Sequence, residues 1–264
     1  MTTRVLRIAL FVFLLVAAIA PLAFLMLVSM GVDWFYPALI PPALDLAPWR
    51  DLASVSGGGQ RLARATASSL FLAIATGALA AALALPVGRA LARLRGWRRS
   101  LGAAAAFLPV AAPPIALGVG LQYSLLSLGV GGTHSGVLLA HLVPAVGYTS
   151  LFFLGIFSIY DFSVEEEART LGASGYQRAL RVTLPLMRRP LMESFALGFL
   201  VSWAQVPLTL LVGQGIVTTL AVEVLSFVQS GQDRLAATGA ILLIVPALLM
   251  LALVGVAIRR AGVV

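Results

Sequence analysis

Long apolar runs, interrupted by short polar or proline-rich stretches, set the plan of this chain. The first run, Ile8 to Met30, follows a short basic start from Thr2 to Arg7. A membrane-spanning helix needs about 20 mostly apolar residues. On that measure the pattern predicts six spans, at about 8–30, 65–91, 101–128, 136–157, 191–212 and 236–258. Ala18-Ile19-Ala20 resembles the small-residue cleavage site of a secretory signal. The apolar region continues well past it, whereas a signal core spans only about 7–15 residues. The run is therefore read as a first transmembrane helix with its N-terminus in the cytoplasm.

The interruptions differ in kind. Residues 31–64 hold Pro37, Pro41, Pro42 and Pro48 beside Trp34, Phe35, Tyr36 and Trp49, with Gly57-Gly58-Gly59 read as a hinge. This composition predicts an extended outer loop whose aromatics sit at the membrane interface. Pro86 predicts a kink in the second span. Pro109, Pro113 and Pro114, with Gly118 and Gly120, predict an irregular third span, tolerated only where protein or a water-filled cavity satisfies the freed backbone groups. His141, Tyr148, Thr149 and Ser150 lie in the fourth span.

One polar stretch stands apart. Glu165 to Pro190 reads EEEARTLGASGYQRALRVTLPLMRRP and sits between the fourth and fifth apolar runs. Its spacing predicts a short helix ending at Leu171, with Glu165 paired to Arg169 at i,i+4. Gly172 is a break or a left-handed position. A second amphipathic helix follows to about Leu184, limited by Pro185 and Pro190. The element predicted is a helix–turn–helix hairpin over 159–190, exposed on the cytoplasmic side.

Charge supports that topology. All 18 basic residues are arginine, against 10 acidic ones, and mean hydropathy is +1.01. A net charge of +8 would fit nucleic acid in a soluble chain. Here most arginines fall on one side: Arg4, Arg7, Arg89 to Arg99, the five of the hairpin, Arg259 and Arg260. Only Arg50, Arg61, Arg64 and Arg234 fall on the other. The bias places both termini inside. The absence of cysteine excludes disulfides and thiolate metal sites.

The hairpin resembles the EAA motif of permease subunits of binding-protein-dependent type I ABC importers. Glu166-Glu167-Ala168 stands at the EAA position, followed by Gly172-Ala173-Ser174 and by Val182-Thr183-Leu184-Pro185 at the family's spacing. Glu167 replaces the usual middle alanine, and Ala179 stands where an aromatic is common. The resemblance extends over nearly the whole chain, because the motif falls between the fourth and fifth spans. It implies an all-α membrane protein: one transmembrane permease domain over 1–264, in a bacterial cytoplasmic (inner) membrane. It also implies that Glu166, Glu167, Ala168, Gly172, Ala173, Ser174, Leu184 and Pro185 couple to an ATPase, with Glu166 bracing the hairpin. The implied partners are two ATPase subunits, a second permease subunit (identical or homologous), an extracytoplasmic substrate-binding protein and membrane lipid, with no nucleic acid. ATP and Mg would be bound by the ATPase. This chain has no G-x-x-x-x-G-K-[ST] and is expected to bind no cofactor and catalyse nothing itself.

Other readings of the same residues fare worse. Ala168 to Ser174 looks like a DNA-binding helix–turn–helix, but membrane spans bracket it. Gly172-Ala173-Ser174-Gly175 matches the G-x-S-G of rhomboid-type proteases, whose serine must lie in the membrane with a histidine partner. A secondary transporter independent of ATP is the main alternative, though intramembrane charges and inverted repeats are not evident. For the translocation pathway, Ser202, Gln205 and Thr209 share one face of a continuous helix at i, i+3 and i+7. Trp203, Tyr123 and Tyr148 are further candidates. The competing role for these polar groups is hydrogen bonding between helices. The fifth-span segment is similar to those of polyamine, thiamine and related small-cation permeases, which gives the expected solute.

Overall fold

The computed structural model describes residues 2–261 except Tyr36 and Val55, with the side chains of Thr2, Thr3, Val5 and residues 257–261 also outside the described residues. Among the described residues the fold is all-α apart from one two-residue ladder. Four helices are long and apolar enough to cross a membrane, and six crossings result if each of two bent helix pairs counts as one span. The chain divides into two compact units, Met1–Ala67 with Thr219–Pro246, and Ser68–Thr218 with Ala247–Val264.

The first unit begins with α1 (Thr2–Met30), which continues through Pro21 and leaves side chains such as Phe11 and Phe13 exposed. Strands β1 (Gly31–Val32) and β2 (Ala43–Leu44) pair antiparallel, and α2 (Ala47–Arg50) starts with Pro48 in its first turn. The stretch after Met30 is therefore folded where the sequence predicts an extended loop. Trp49 explains part of this, since its indole Nε1–H donates to Ser29 Oγ at 3.2 Å. Tyr36 lies outside the described residues. The Gly57-Gly58-Gly59 triplet is no hinge either: it forms the first turn of α3 (Gly57–Arg93), eight residues before the predicted start at 65. Gly59 lies against the Asp51 backbone so closely that a Cβ there would meet the carbonyl oxygen at 2.1 Å. A helix end packed this tightly cannot swing.

Two further helices complete that unit, α12 (Leu220–Gln229) and the first part of α13 (Asp233–Ala261). Glu223 is buried and takes Arg61 Nε at 2.6 Å, while the Arg61 guanidinium lies 4.9 Å from the Phe227 ring centre. Arg234 donates to the Asp45 carbonyl oxygen at 3.0 Å. Two of the four arginines that oppose the charge bias are thus bound to protein partners.

The second unit holds the rest of α3, then α4 (Trp97–Ala111), α5 (Pro114–Ser127), α6 (His134–Ile159), α7 (Ser163–Thr170), α8 (Gly175–Arg178), a π-turn at Ala179–Thr183, α9 (Leu184–Leu186), α10 (Arg188–Trp203) and α11 (Pro207–Gly213). Pro86 is accommodated inside α3 without interrupting it. The third span is broken, with α4 and α5 meeting at 94°. A residue before proline is pushed out of the α region, and both residues preceding a proline here, Ala112 and Pro113, are extended (ψ 136° and 127°).

The fifth span also breaks, which its predicted continuous helical face did not allow for: α10 and α11 meet at 64°. Pro207, at the start of α11, has no N–H to offer the preceding turn. Buried Leu72, Leu125, Val137, Leu208 and Val212 pack as one core around this second break, and Ala84, Phe153, Phe157 and Met187 as another towards the hairpin.

Candidate functional site

Two places in the second unit carry polar chemistry that apolar packing does not explain. The first is the hairpin. Asp161 Oδ1 accepts the Ser163 N–H at 2.9 Å, opening α7, and that hydrogen bond holds the Asp161 carboxyl below its ordinary value. The helix closes with Gly172 left-handed at φ 84°. The Ala173 N–H reaches the Ala168 carbonyl oxygen and the Gly172 N–H reaches that of Arg169, both at 3.0 Å, the paired bonds of a Schellman stop. Ser174 then starts α8 with a reciprocal cap: its Oγ accepts from the Gln177 N–H at 3.3 Å, and Gln177 Oε1 accepts from the Ser174 N–H at 2.8 Å. Stop and start signals within three residues make the turn tight.

Beyond α8 the chain does not stop at Pro185, as the sequence predicts. It widens into the π-turn, where the Leu184 N–H bonds the Ala179 carbonyl oxygen five residues back. A proline inside a helix clashes with the carbonyl four residues earlier, and a π-turn just upstream changes that spacing. Pro190 likewise falls within the first turn of α10 instead of ending a helix. The hairpin thus runs into the fifth span with only Met187 between α9 and α10.

The predicted Glu165–Arg169 pair does not form. Arg169 Nε binds Glu166 at 2.9 Å, at i,i+3. Glu165 turns inward, and its side chain is 1% exposed. One carboxylate oxygen binds Arg89 of α3, with Arg93 at 3.6 Å, and the other accepts from Thr183 Oγ1 at 2.8 Å. Arg89 also donates to Thr183 Oγ1 at 3.2 Å. Arg93 lies 5.0 Å from the Phe162 ring centre. Burial, and then the charge of Glu165, push the Tyr160 hydroxyl above its ordinary value, with Arg89 opposing. Of the predicted coupling residues, Glu166, Glu167, Gly172, Ser174 and Leu184 are exposed, while Ala168, Ala173 and Pro185 are half-buried. The contact that ties the hairpin to the helices is made by Glu165, which spacing alone had paired elsewhere.

The second place is the break in the fifth span. His141 of α6 is fully buried; its Nδ1 lies 2.8 Å from Ser202 Oγ of α10 and its Nε2 lies 3.0 Å from Thr209 Oγ1 of α11. Thr209 Oγ1 donates to the Gln205 carbonyl oxygen at 3.0 Å, so it is left to accept from the histidine. The proton therefore sits on Nε2, and Ser202 donates to Nδ1. One ring holds both halves of the broken span. Ser202 and Thr209, which spacing places on one continuous helical face, meet instead across the break through His141, and spacing misses it because contact across 61 residues leaves no local trace.

The other pathway candidates separate. Gln205 and Tyr148 line a cavity of about 270 Å³ with Pro109, Pro114, Pro144 and Ala204, so that both helix breaks border one space. No residue lining it is charged. Trp203 is buried, stacked on Phe199 with ring centres 5.6 Å apart. Tyr123 is exposed on α5 and does not line this cavity. Among the described residues no cluster of three or more metal-ligating side chains occurs.

The chain is similar to known transport proteins in sequence and in fold. The family described as "Binding-protein-dependent transport system inner membrane component" matches residues 84–263. The chain is 30% identical over 159 residues, 60% of its length, to the inner membrane ABC transporter permease protein YnjC of Escherichia coli (strain K12), covering 31% of that protein. It is 32% identical over 148 residues to the putative 2-aminoethylphosphonate transport system permease protein PhnV of Salmonella typhimurium, covering 55% of this chain and 56% of PhnV. It is 29% identical over 138 residues to the molybdate/tungstate transport system permease protein WtpB of Thermococcus kodakarensis, covering 52% and 54% of the two chains. The chain thus spans about a third of the first relative's length and about half of the others'. A crystal structure of a bacterial ABC transporter involved in import of the acidic polysaccharide alginate superposes with a TM-score of 0.69, over 98% of this chain and 95% of that one, at 17% identity. That likeness is one of fold.

Proposed function

The chain belongs to the binding-protein-dependent transport system inner membrane component family, and from that membership we propose that it is one of two permease subunits enclosing the pathway of an ATP-driven importer. The hairpin docks a separate ATPase on the cytoplasmic side, and both termini lie on that side. An extracytoplasmic binding protein delivers the solute. One observation carries the docking reading. The hairpin presents Glu166, Glu167, Leu171, Gly172, Ser174 and Tyr176 to solvent on a base fixed by a buried carboxylate. A polar helical turn with an exposed apolar tip, held rigidly, is suited to insertion into another protein's groove. ATP binding and hydrolysis on the partner would then bias two arrangements of the membrane helices.

The solute is proposed to pass the cavity between the two broken spans, with Gln205 and Tyr148 as the polar groups it meets. Ser202, Trp203 and Thr209 do not line that cavity and serve in the packing of the helices instead. Two solute classes compete. The fifth-span resemblance favours a small cation such as a polyamine or thiamine. The names of the relatives point instead to solutes bearing an anionic group. The uncharged wall gives neither class a counter-charge, and the names of the relatives place the anionic class first. The selection itself would be made by the binding protein.

Purification from native membranes in mild detergent, with mass spectrometry of the co-purifying chains, tests the docking. An ATPase should accompany the intact chain and be lost when Glu165–Pro185 is deleted. Solute uptake without any associated ATPase would instead establish a secondary transporter. Gly172→Pro, which cannot adopt the left-handed φ, should lower uptake at least tenfold without preventing membrane insertion. Uptake of 2-aminoethylphosphonate against spermidine by cells carrying the complete transporter separates the two solute classes.

A further inference from the structure

The buried cluster of Arg89, Glu165 and Thr183 joins three segments far apart in sequence. Arg89 lies near the end of α3, Glu165 is in the first hairpin helix, and Thr183 is the last residue of the π-turn. Each member contacts the other two. Glu165 is the hub, because its two oxygens take different partners and its side chain is almost wholly removed from solvent. Around it, Arg93 supplies a second positive charge, and the Phe162 face in turn receives Arg93.

Geometry distinguishes this cluster from ordinary surface pairing. Exposed ion pairs such as Glu166–Arg169 hold two flexible side chains in water and constrain little. A buried, fully partnered carboxylate has few alternative arrangements, since any displacement strips it of partners it cannot replace with water. Both limbs of the hairpin meet in it, one through Glu165 and the other through Thr183. A displacement of the hairpin therefore cannot leave α3 behind without breaking the cluster.

We propose that Arg89, Glu165 and Thr183 form the joint through which movement of the hairpin reaches the second span, with Glu165 as the positioning residue. Its part in transport rests on the docking reading above, but the mechanical tie between hairpin and α3 does not. Glu166, by contrast, is free to meet a partner, being half-exposed and bound only within its own helix.

The natural absence of cysteine makes the tie measurable by paired spin labels. One pair is placed at Leu171→Cys on the exposed hairpin tip and Leu94→Cys just beyond α3; a second, at Leu83→Cys and Leu139→Cys, reports α3 against α6. The complete transporter is examined with and without ATP and vanadate. The first pair should give a narrow distance distribution that broadens at least twofold in Glu165→Gln and less in Thr183→Val. It should narrow again when the charges are exchanged in Arg89→Glu/Glu165→Arg. The second pair should shift on nucleotide trapping in the parent and not in Glu165→Gln. An equally narrow first pair in Glu165→Gln and Thr183→Val would overturn the joint, as would a nucleotide shift of normal size in Glu165→Gln. Should no ATPase accompany the parent, the second pair stays still in every variant and the docking reading fails. The first pair still decides the joint.

Discussion

The two broken spans bend for different reasons. In the third, two successive prolines force two successive extended residues, and the 94° bend is written into three positions, Ala112, Pro113 and Pro114. In the fifth, Pro207 alone starts the second half-helix, and the 64° bend is secured from outside by His141. Local chemistry makes the first break; a tertiary contact holds the second. A break imposed by backbone sterics has one shape, whereas a break held by two hydrogen bonds can change when they do.

Removing the pin should separate the two cases most clearly. His141→Leu forfeits two interhelical hydrogen bonds and leaves Ser202 Oγ without the imidazole, while Thr209 Oγ1 keeps the Gln205 carbonyl oxygen. Such bonds contribute ~0.6 kcal/mol on average and up to ~1.7 within a membrane, with a further penalty for unsatisfied groups. The expected loss is about 2–3 kcal/mol, read as a lowered unfolding midpoint in detergent. Thr209→Val keeps the shape and removes one interhelical bond together with the local bond to the Gln205 carbonyl oxygen, so about 1–2 kcal/mol is expected from the same measurement. Pro113→Ala should matter least. Pro114 remains, the residue before it is still held extended, and stability should change by under about 1 kcal/mol. Spin labels at Leu108→Cys and Leu128→Cys should report the same bend in this variant as in the parent. A straightened third span there would erase the distinction between the two breaks.

Much of the fold was legible because its rules are local. Apolar run length pointed to the four long apolar helices and to the two bent helix pairs, Pro113-Pro114 announced the first break, and Gly172 announced the left-handed turn. The errors share a cause. Gly57 to Gly59 read as a hinge, yet Gly57 takes a left-handed φ of 86° and Gly59 lets the helix start press on the Asp51 backbone. Helical spacing assigns Glu165 to Arg169, and a half-buried arginine 76 residues away outbids that neighbour. Pro185 read as a stop, although a π-turn lets the helix pass it. Among the pathway candidates, Ser202 and Thr209 are joined by the imidazole between them and not by a shared helical face. Each missed feature depends on a contact that the residue's own type does not specify.

Gly198 of α10 meets Gly77 of α3 so closely that a Cβ on Gly198 would stand 3.1 Å from the Gly77 Cα, and one on Gly77 would stand 2.7 Å from the Phe195 carbonyl oxygen. Backbone lies on backbone there, with no side chain to act as a cushion. Were α3 to tilt as a rod, this crossing would be its fulcrum. The arm from Gly77 to Arg89 is ~18 Å and the arm from Gly77 to Ser68, whose Oγ lies 3.2 Å from His134 Nε2, is ~14 Å at 1.5 Å per residue. A push at the hairpin end would emerge at the Ser68–His134 end reversed in direction and reduced by about a quarter.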